Sequence, residues 1–347
     1  MAKVAVIGLG TIGAHVAKHA SSRGHEVVLI ATCRKVTDGQ GKILSEHEKG
    51  VSVEKMTRTV MRHILSQGVD AAMLAIPSGG SGLAEAGYIF ALTSHGIGVV
   101  TAGKSALANK FDILRPCMKD IRYNAAVGGG VEMPSFFKTY LAQDVTRHFR
   151  ATAIVNATLN FAQYCVRQGL SPEHTCDWAL KLGFAEPSEN GEPLDPLALY
   201  QGEIPDISRK LAIICNTQMF SWVGRTVSQA DFKPSAFTED DLWRVMAGNS
   251  EYAYMVRLCT RERDLEFFSE IKIGGQILTK VGNLWVAGGF VKLKGWIREK
   301  FMLPLAGNAI HLMQSGDPNY ADGQGAGAVP TSCAMFMDLE DLLKSRK

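Results

Sequence analysis

Residues 3–24 read "KVAVIGLGTIGAHVAKHASSRG", a short apolar run that ends in glycine and continues as a stretch with apolar residues at helical spacing. A strand passing into a helix through Gly8, Gly10 and Gly13 is the opening turn of a dinucleotide-binding doubly wound sheet. Gly8 permits the tight turn, Gly10 lets a pyrophosphate approach the backbone, and Gly13 lets the helix pack closely on the strand. The helix N-terminus adds free N–H groups and positive dipole for the phosphates. A glycine-rich turn with no ligand is the alternative, and the strand-then-helix context speaks against it. "HEVVLIATCR" repeats the strand signal, which completes a βαβ unit with the right-handed crossover such units adopt.

Further apolar strands follow at "DAAMLAIP" and "GIGVVTAG". Strands alternating with helical segments predict an α/β fold, with a Rossmann-type doubly wound parallel sheet over residues 1–130. After "YNAAVGGGVEMPSF" the rhythm changes to longer helical stretches mixed with strand-like segments such as "RHFRATAIVNATLNF" and "EFFSEIKI", and a second, α+β domain is expected over 131–305. Residues 186–206, "EPSENGEPLDPLALYQGEIPD", are dense in Pro, Gly and acids and read as a long loop between two helices. A chain of 347 residues suits this two-domain division.

Composition narrows the classes of function. Acids and bases are interspersed and leave a net charge of +3, so there is no basic stripe to track a phosphate backbone and nucleic acid is not expected as a partner. The seven cysteines are odd in number and contain no CxxC, the usage of reduced thiols. The N-terminus enters a strand at once and no later apolar run is long enough to span a bilayer, so no membrane partner and a cytoplasmic location are expected.

NAD-preferring sites carry an acid about 20 residues past the glycines, on the ribose hydroxyls. Here that place reads "ATCRK". With no acid, and with Arg34 and Lys35 able to pair with a 2′-phosphate, NADP is expected, with NAD as the alternative. A merely solvated basic pair is the competing reading.

In "GIGVVTAGKSALANK", Lys104 follows the C-terminal end of a strand, the edge at which doubly wound sheets bind their ligands. Alone it reads better as a surface lysine at a helix N-terminus. However, "VVTAGKSALA", "NAAVGGGVEMP", "NATLNF", "LGFAEP", "PDISRKLAI" and "GQGAGAVPTSCAMFMDL" together resemble homoserine dehydrogenase, in that order and over essentially the whole chain. The resemblance implies an NAD(P)-binding domain, a second domain with the substrate site and the interface of a homodimer, and a C-terminal segment, 306–347, that returns to the first. It also implies a small-molecule substrate: L-homoserine, oxidised to L-aspartate 4-semialdehyde and usually formed by the reverse reduction, on the route to threonine and methionine. At this length no aspartokinase or regulatory ACT domain is expected.

Carried over by position, the resemblance makes Lys210 the catalytic acid/base, Lys104 a second active-site lysine at the cofactor, and Asp206 the residue that contacts the substrate oxygen and orients Lys210. Glu186 matches the carboxylate for the substrate ammonium and Thr158 a residue near the substrate. Thr11, Ile12, Ser78, Gly183 and Gly327 join the glycines at the cofactor. Main-chain carbonyls of Asn124, Val127, Gly129 and Val131 match a sodium site, with a flexible interdomain turn as the alternative. Asp206 and Lys210 are four apart, which on a helix sets them on one face, with Ile207, Leu211 and Ile214 on the packing side; without the resemblance the pair reads as an ordinary i,i+4 surface ion pair.

The match departs in places. Gly103, Ala157 and Phe184 stand where the family usually has asparagine, glycine and tyrosine. The loop after Glu186 is longer than usual, and no acid lies at Leu199–Gln201, where the family carries a second carboxylate. Glu189, Glu192, Asp195 and Glu203 are the candidates to replace it. Two other readings stay open: a same-fold dehydrogenase of another small hydroxy or amino acid, and a non-catalytic dinucleotide-binding redox sensor. The joint presence of Lys104, Asp206 and Lys210 argues against the sensor.

Overall fold

The opening apolar run forms β1 (Lys3–Ile7), buried from Val4 onward, because a parallel strand covered by helices on both faces has no polar side. It is followed in its sheet by β2 (Glu26–Ala31), β3 (Lys35–Asp38), β4 (Ile43–Glu46), β5 (Ala71–Leu74), β6 (Gly98–Thr101) and β7 (Ile121–Arg122), in the spatial order β4-β3-β2-β1-β5-β6-β7. The pairings from β2 through β7 are parallel, whereas β3 and β4 add antiparallel strands at one edge. The β3–β4 turn is held by Asp38, whose Oδ1 accepts the amides of Gln40 and Lys42 at 3.0 and 2.9 Å. Helices α1 (Thr11–His19), α2 (Val53–Gln67) and α3 (Leu83–Ser94) lie between the parallel strands in the chain. Capping fixes α2 at both ends: the Ser52 hydroxyl accepts the Lys55 amide, and Gly68 is left-handed.

The structure, a computed structural model, describes residues 1–77, 80–185, 194–247, 251–269 and 272–346. They fall into two units, Met1–Ala126 with Ala328–Lys347, and Val127–Gly327. In the first unit, Met335, Phe336, Leu339 and Leu342 of the C-terminal helix Ala328–Lys344 share one core with Val4, Val6, Val16, Met73 and Val100. Asp338 of that helix is buried and accepts the Asn124 amide at 2.8 Å and its side-chain Nδ2 at 2.6 Å.

The second unit is built on β8 (Phe149–Ile154), β9 (Tyr252–Cys259), β10 (Ile277–Val281), β11 (Leu284–Lys292), β12 (Gly307–Gln314) and β13 (Asp317–Gln324), ordered β10-β11-β9-β8-β12-β13. Every neighbouring pair is antiparallel. Ile154, Met255, Phe268, Ala287, Ile297, Phe301 and Ala309 form a core cluster.

Three expectations change here. The segment expected to leave the second domain at 306 divides instead: β12 pairs with β8 and β13 with β12, so only residues from Ala328 join the first unit. "EFFSEIKI" is not a strand over its described part, since Glu266–Ser269 is helical. Leu265 and Phe268, three apart and both buried, have helical rather than alternating spacing. Of the stretch 186–206 expected as a loop, residues 186–193 lie outside the described residues, and from Pro196 onward it is helix, the first part of Pro196–Thr217. Asp195 caps that helix by accepting the Ala198 amide at 2.8 Å, and Pro196 occupies the first position, where no donor is needed. Pro205 lies within the helix and cannot bond the carbonyl of Gln201, a loss of about 3 kcal/mol. Burial of Leu199, Ile204, Ile207, Leu211 and Ile214 along the helix offsets it at about 1.5–3 kcal/mol per side chain. Among the described residues no helix is long and apolar enough to cross a membrane.

Candidate active site

In the first unit, β1 sits between β2 and β5, so the chain leaves the sheet in opposite directions on its two sides, the switch point at which such sheets bind ligands. Gly8 has φ +95, and a Cβ there would lie 2.4 Å from the Ala75 carbonyl oxygen. At Gly13 a Cβ would stand 1.9 Å from the Gly8 oxygen. At Gly10 a Cβ would meet nothing within 4 Å, and Gly10 is the N-cap of α1 without a side-chain cap. Gly8 and Gly13 close the turn, and Gly10 between them leaves room beside the helix N-terminus, where Thr11 and Ile12 begin α1. That is the arrangement for a pyrophosphate.

The Gly8 amide donates to Ala31 O at 2.8 Å, which ties this turn to the end of β2. Just beyond, the Thr32 hydroxyl accepts the amides of Arg34 and Lys35 at 3.2 and 3.1 Å. The exposed basic pair is thereby fixed at the same sheet edge. Past the end of β6, Lys104 is the N-cap residue of α4 (Ser105–Asn109) and is half-buried. Parallel pairing of β1, β2, β5 and β6 sets the glycine turn, the basic pair and Lys104 at one edge of the sheet. Ser78 lies outside the described residues.

In the second unit, Asp206 and Lys210 project from the helix Pro196–Thr217, each with its side chain 11% exposed, and Lys210 Nζ is 2.6 Å from Asp206 Oδ2. The ammonium also donates to the Val155 carbonyl at 2.8 Å. Arg209 Nη2 stands 3.7 Å from Asp206 Oδ1. Asn156, at the junction of β8 and the helix Ala157–Arg167, caps that helix by accepting the Leu159 amide at 2.8 Å. Its Nδ2 donates to Glu203 Oε2 at 2.7 Å and lies 3.3 Å from Asp206 Oδ2. Two carboxylates therefore meet at one amide, and the Lys210 ammonium pairs with one of them. Asn156 and the Val155 carbonyl were not singled out from the sequence; an asparagine at a strand-to-helix junction was the available signal.

Of the acids weighed for the missing carboxylate, Asp195 is engaged as a helix cap, while Glu203 joins this cluster. Glu186, Glu189 and Glu192 lie outside the described residues. The Thr158 hydroxyl donates to Phe184 O at 2.7 Å, tying its helix to the turn that carries Gly183. Gly183 and Gly327 both have positive φ, 69 and 104. Of the carbonyls considered for sodium, that of Gly129 accepts the Glu132 amide at 3.1 Å. Asn124 belongs to the first unit, whereas Val127, Gly129 and Val131 belong to the second.

Comparison with known proteins adds to this geometry. The sequence profile of the 3-hydroxyacyl-CoA dehydrogenase NAD binding domain matches residues 3–74. No curated relative matches the chain. Among solved structures, homoserine dehydrogenase from Thermoplasma acidophilum superposes with a TM-score of 0.68 at 19% identity, covering 99% of both chains. A putative homoserine dehydrogenase from Archaeoglobus fulgidus gives 0.65 at 19% identity, again over 99% of each. A hyperthermophilic archaeal homoserine dehydrogenase in complex with NADPH gives 0.62 at 14% identity, over 99% of this chain and 98% of that one. The chain thus has, over its whole length, the fold of the homoserine dehydrogenases, an α/β architecture that opens with a Rossmann-type NAD-binding domain.

Proposed function

We propose that this protein is an NADP-dependent homoserine dehydrogenase, an oxidoreductase acting on a CH–OH group that interconverts L-aspartate 4-semialdehyde and L-homoserine on the route to threonine and methionine. The observation that carries the reading is the Lys210 ammonium, held within 2.6 Å of Asp206 and 2.8 Å of the Val155 carbonyl on a buried helix face. NADPH, when bound, supplies the hydride for the aldehyde carbon. The residues of this chain do the rest. Gly10 and the α1 N-terminus hold the pyrophosphate, and Arg34 and Lys35 pair with the 2′-phosphate.

As negative charge grows on the carbonyl oxygen, Lys210 gives up a proton to it, and in the oxidative direction it takes the proton back. A positioned acid/base of this kind contributes about 10²–10⁴ in rate. Asp206 and the Val155 oxygen hold the ammonium in place, and Lys104 supplies a second cation. Glu186 takes the substrate ammonium. Glu203, oriented by Asn156, is our choice for the second carboxylate, in place of the acid missing at 199–201. The protein acts as a cytoplasmic homodimer in this reading.

The test is absorbance at 340 nm with L-homoserine and a panel of small hydroxy acids, run with NADP and with NAD. Turnover of L-homoserine above every other compound is expected. A preference for a hydroxy acid that lacks the amino group would replace this reading with that of a same-fold dehydrogenase for another substrate, and no turnover at all would favour a dinucleotide sensor.

A further inference from the structure

Glu85, in the first turn of α3, is a carboxylate that the chemistry above does not use, yet it is 3% exposed. Burial pushes its pKa up, against the pull of its hydrogen-bond donors and of the nearby Lys104 ammonium. Such a group is costly to bury unless it is well bonded. Its partners all lie in one short segment. Oε1 accepts the Thr101 hydroxyl at 2.9 Å, and Oε2 accepts the Ala106 amide at 2.9 Å. The Ser105 amide also donates to it. The Thr101 oxygen in turn accepts the Gly103 amide at 2.9 Å. Glu85 therefore supplies from another helix the cap that α4 lacks, since its own N-cap residue, Lys104, makes no side-chain cap bond. The carboxylate also fills the space a residue at 103 would use: a Cβ on Gly103 would stand 2.0 Å from Glu85 Oε1.

We propose that Glu85 is the positioning residue for Lys104, fixing through Thr101, Gly103, Ser105 and Ala106 the backbone from which the lysine projects, and that residue 103 is glycine because the Glu85 carboxylate occupies its side-chain place. This rests on the reading of Lys104 as an active-site cation. The segment Thr101–Ala106 is bonded to Glu85 on both sides of Lys104, so removing the carboxylate frees the whole turn, and a shift of about 1 Å in a catalytic group can cost about a hundredfold in rate.

The experiment is a double-mutant cycle on the full-length enzyme, reading kcat and KM, with thermal unfolding followed in parallel. Glu85→Ala should lower kcat at least about tenfold, with the largest part of the loss recovered in Glu85→Gln, which keeps an acceptor for the α4 amides. In a Lys104→Ala background, Glu85→Ala should change kcat by less than about twofold, because non-additivity is the mark of residues acting through one another. Should Glu85→Ala not fold, Gly103→Ala replaces it: the added methyl displaces the carboxylate and should show the same loss and the same non-additivity with Lys104→Ala. A full multiplicative loss in the Lys104→Ala background overturns the proposal and leaves Glu85 a structural group. So does a folded Glu85→Ala or Gly103→Ala enzyme with the parent kcat. If Lys104→Ala itself turns over like the parent, the reading of Lys104 is what fails, and Glu85 then has no catalytic group to position.

Discussion

Replacing Lys210 by alanine separates its two roles, in chemistry and in holding Asp206. Loss of a positioned acid/base lowers kcat by at least about a hundredfold. The structural effect follows from the distances. Removing one member of a buried ion pair costs about 3–5 kcal/mol, but Asp206 keeps Asn156 Nδ2 at 3.3 Å and Arg209 Nη2 at 3.7 Å. With those partners retained, we expect about 2–3 kcal/mol of destabilisation, or roughly 4–12 °C in Tm for a domain of this size. Lys210→Met combined with Asp206→Asn removes both charges, so most of the stability should return while the catalytic loss stays. Steady-state reduction of L-aspartate 4-semialdehyde followed at 340 nm, together with differential scanning calorimetry, measures both. A folded Lys210→Ala enzyme within a few-fold of the parent kcat would refute the acid/base assignment. A double variant as unstable as Lys210→Ala would refute the account of the buried charge.

Three further outcomes are expected. The parent should show a lower KM for NADPH than for NADH, and changing Arg34 and Lys35 together to alanine should narrow the gap, since the phosphate pairing is lost while the glycine turn is kept; equal KM values in the parent would count against it. Glu203→Gln should raise KM for L-homoserine by more than about tenfold, the worth of a charge-assisted hydrogen bond of roughly 1.5–3 kcal/mol, with Glu186→Gln as the companion variant; an unchanged KM for Glu203→Gln with a raised one for Glu186→Gln leaves one carboxylate sufficient. Burial pushes the thiols of Cys259 and Cys176 up, to about 11 and about 12. Because the folded values are raised, their contribution to stability is complete below about pH 8.5, the ordinary thiol value, and is lost as pH rises toward those values. Thiol titration near pH 8 should accordingly label exposed Cys33 first and the buried Cys165, Cys176, Cys215 and Cys259 only on unfolding; early labelling of the buried four would contradict it.

The sequence by itself determined what depends on neighbours along the chain. The turn from β1 into α1 follows from local sterics: only glycine fits at position 8, at φ +95 against the Ala75 carbonyl, and at position 13, against the Gly8 oxygen, and both glycines stand in the sequence where a strand passes into a helix. The i,i+4 spacing of Asp206 and Lys210 likewise fixes a shared helix face before any tertiary contact exists. Tertiary structure decided what those faces meet. The Val155 carbonyl lies 55 residues from Lys210, and Asn156 lies 47 and 50 residues from the two carboxylates it joins. No local pattern encodes such separations, because they depend on which strand the helix is laid against. The same holds for the helix that runs on through Pro205, where burial outweighs a local cost that reads in the sequence as a loop. It holds again for Glu85, which looks like an ordinary first-turn acid of α3 until the fold brings α4 within reach of its carboxylate.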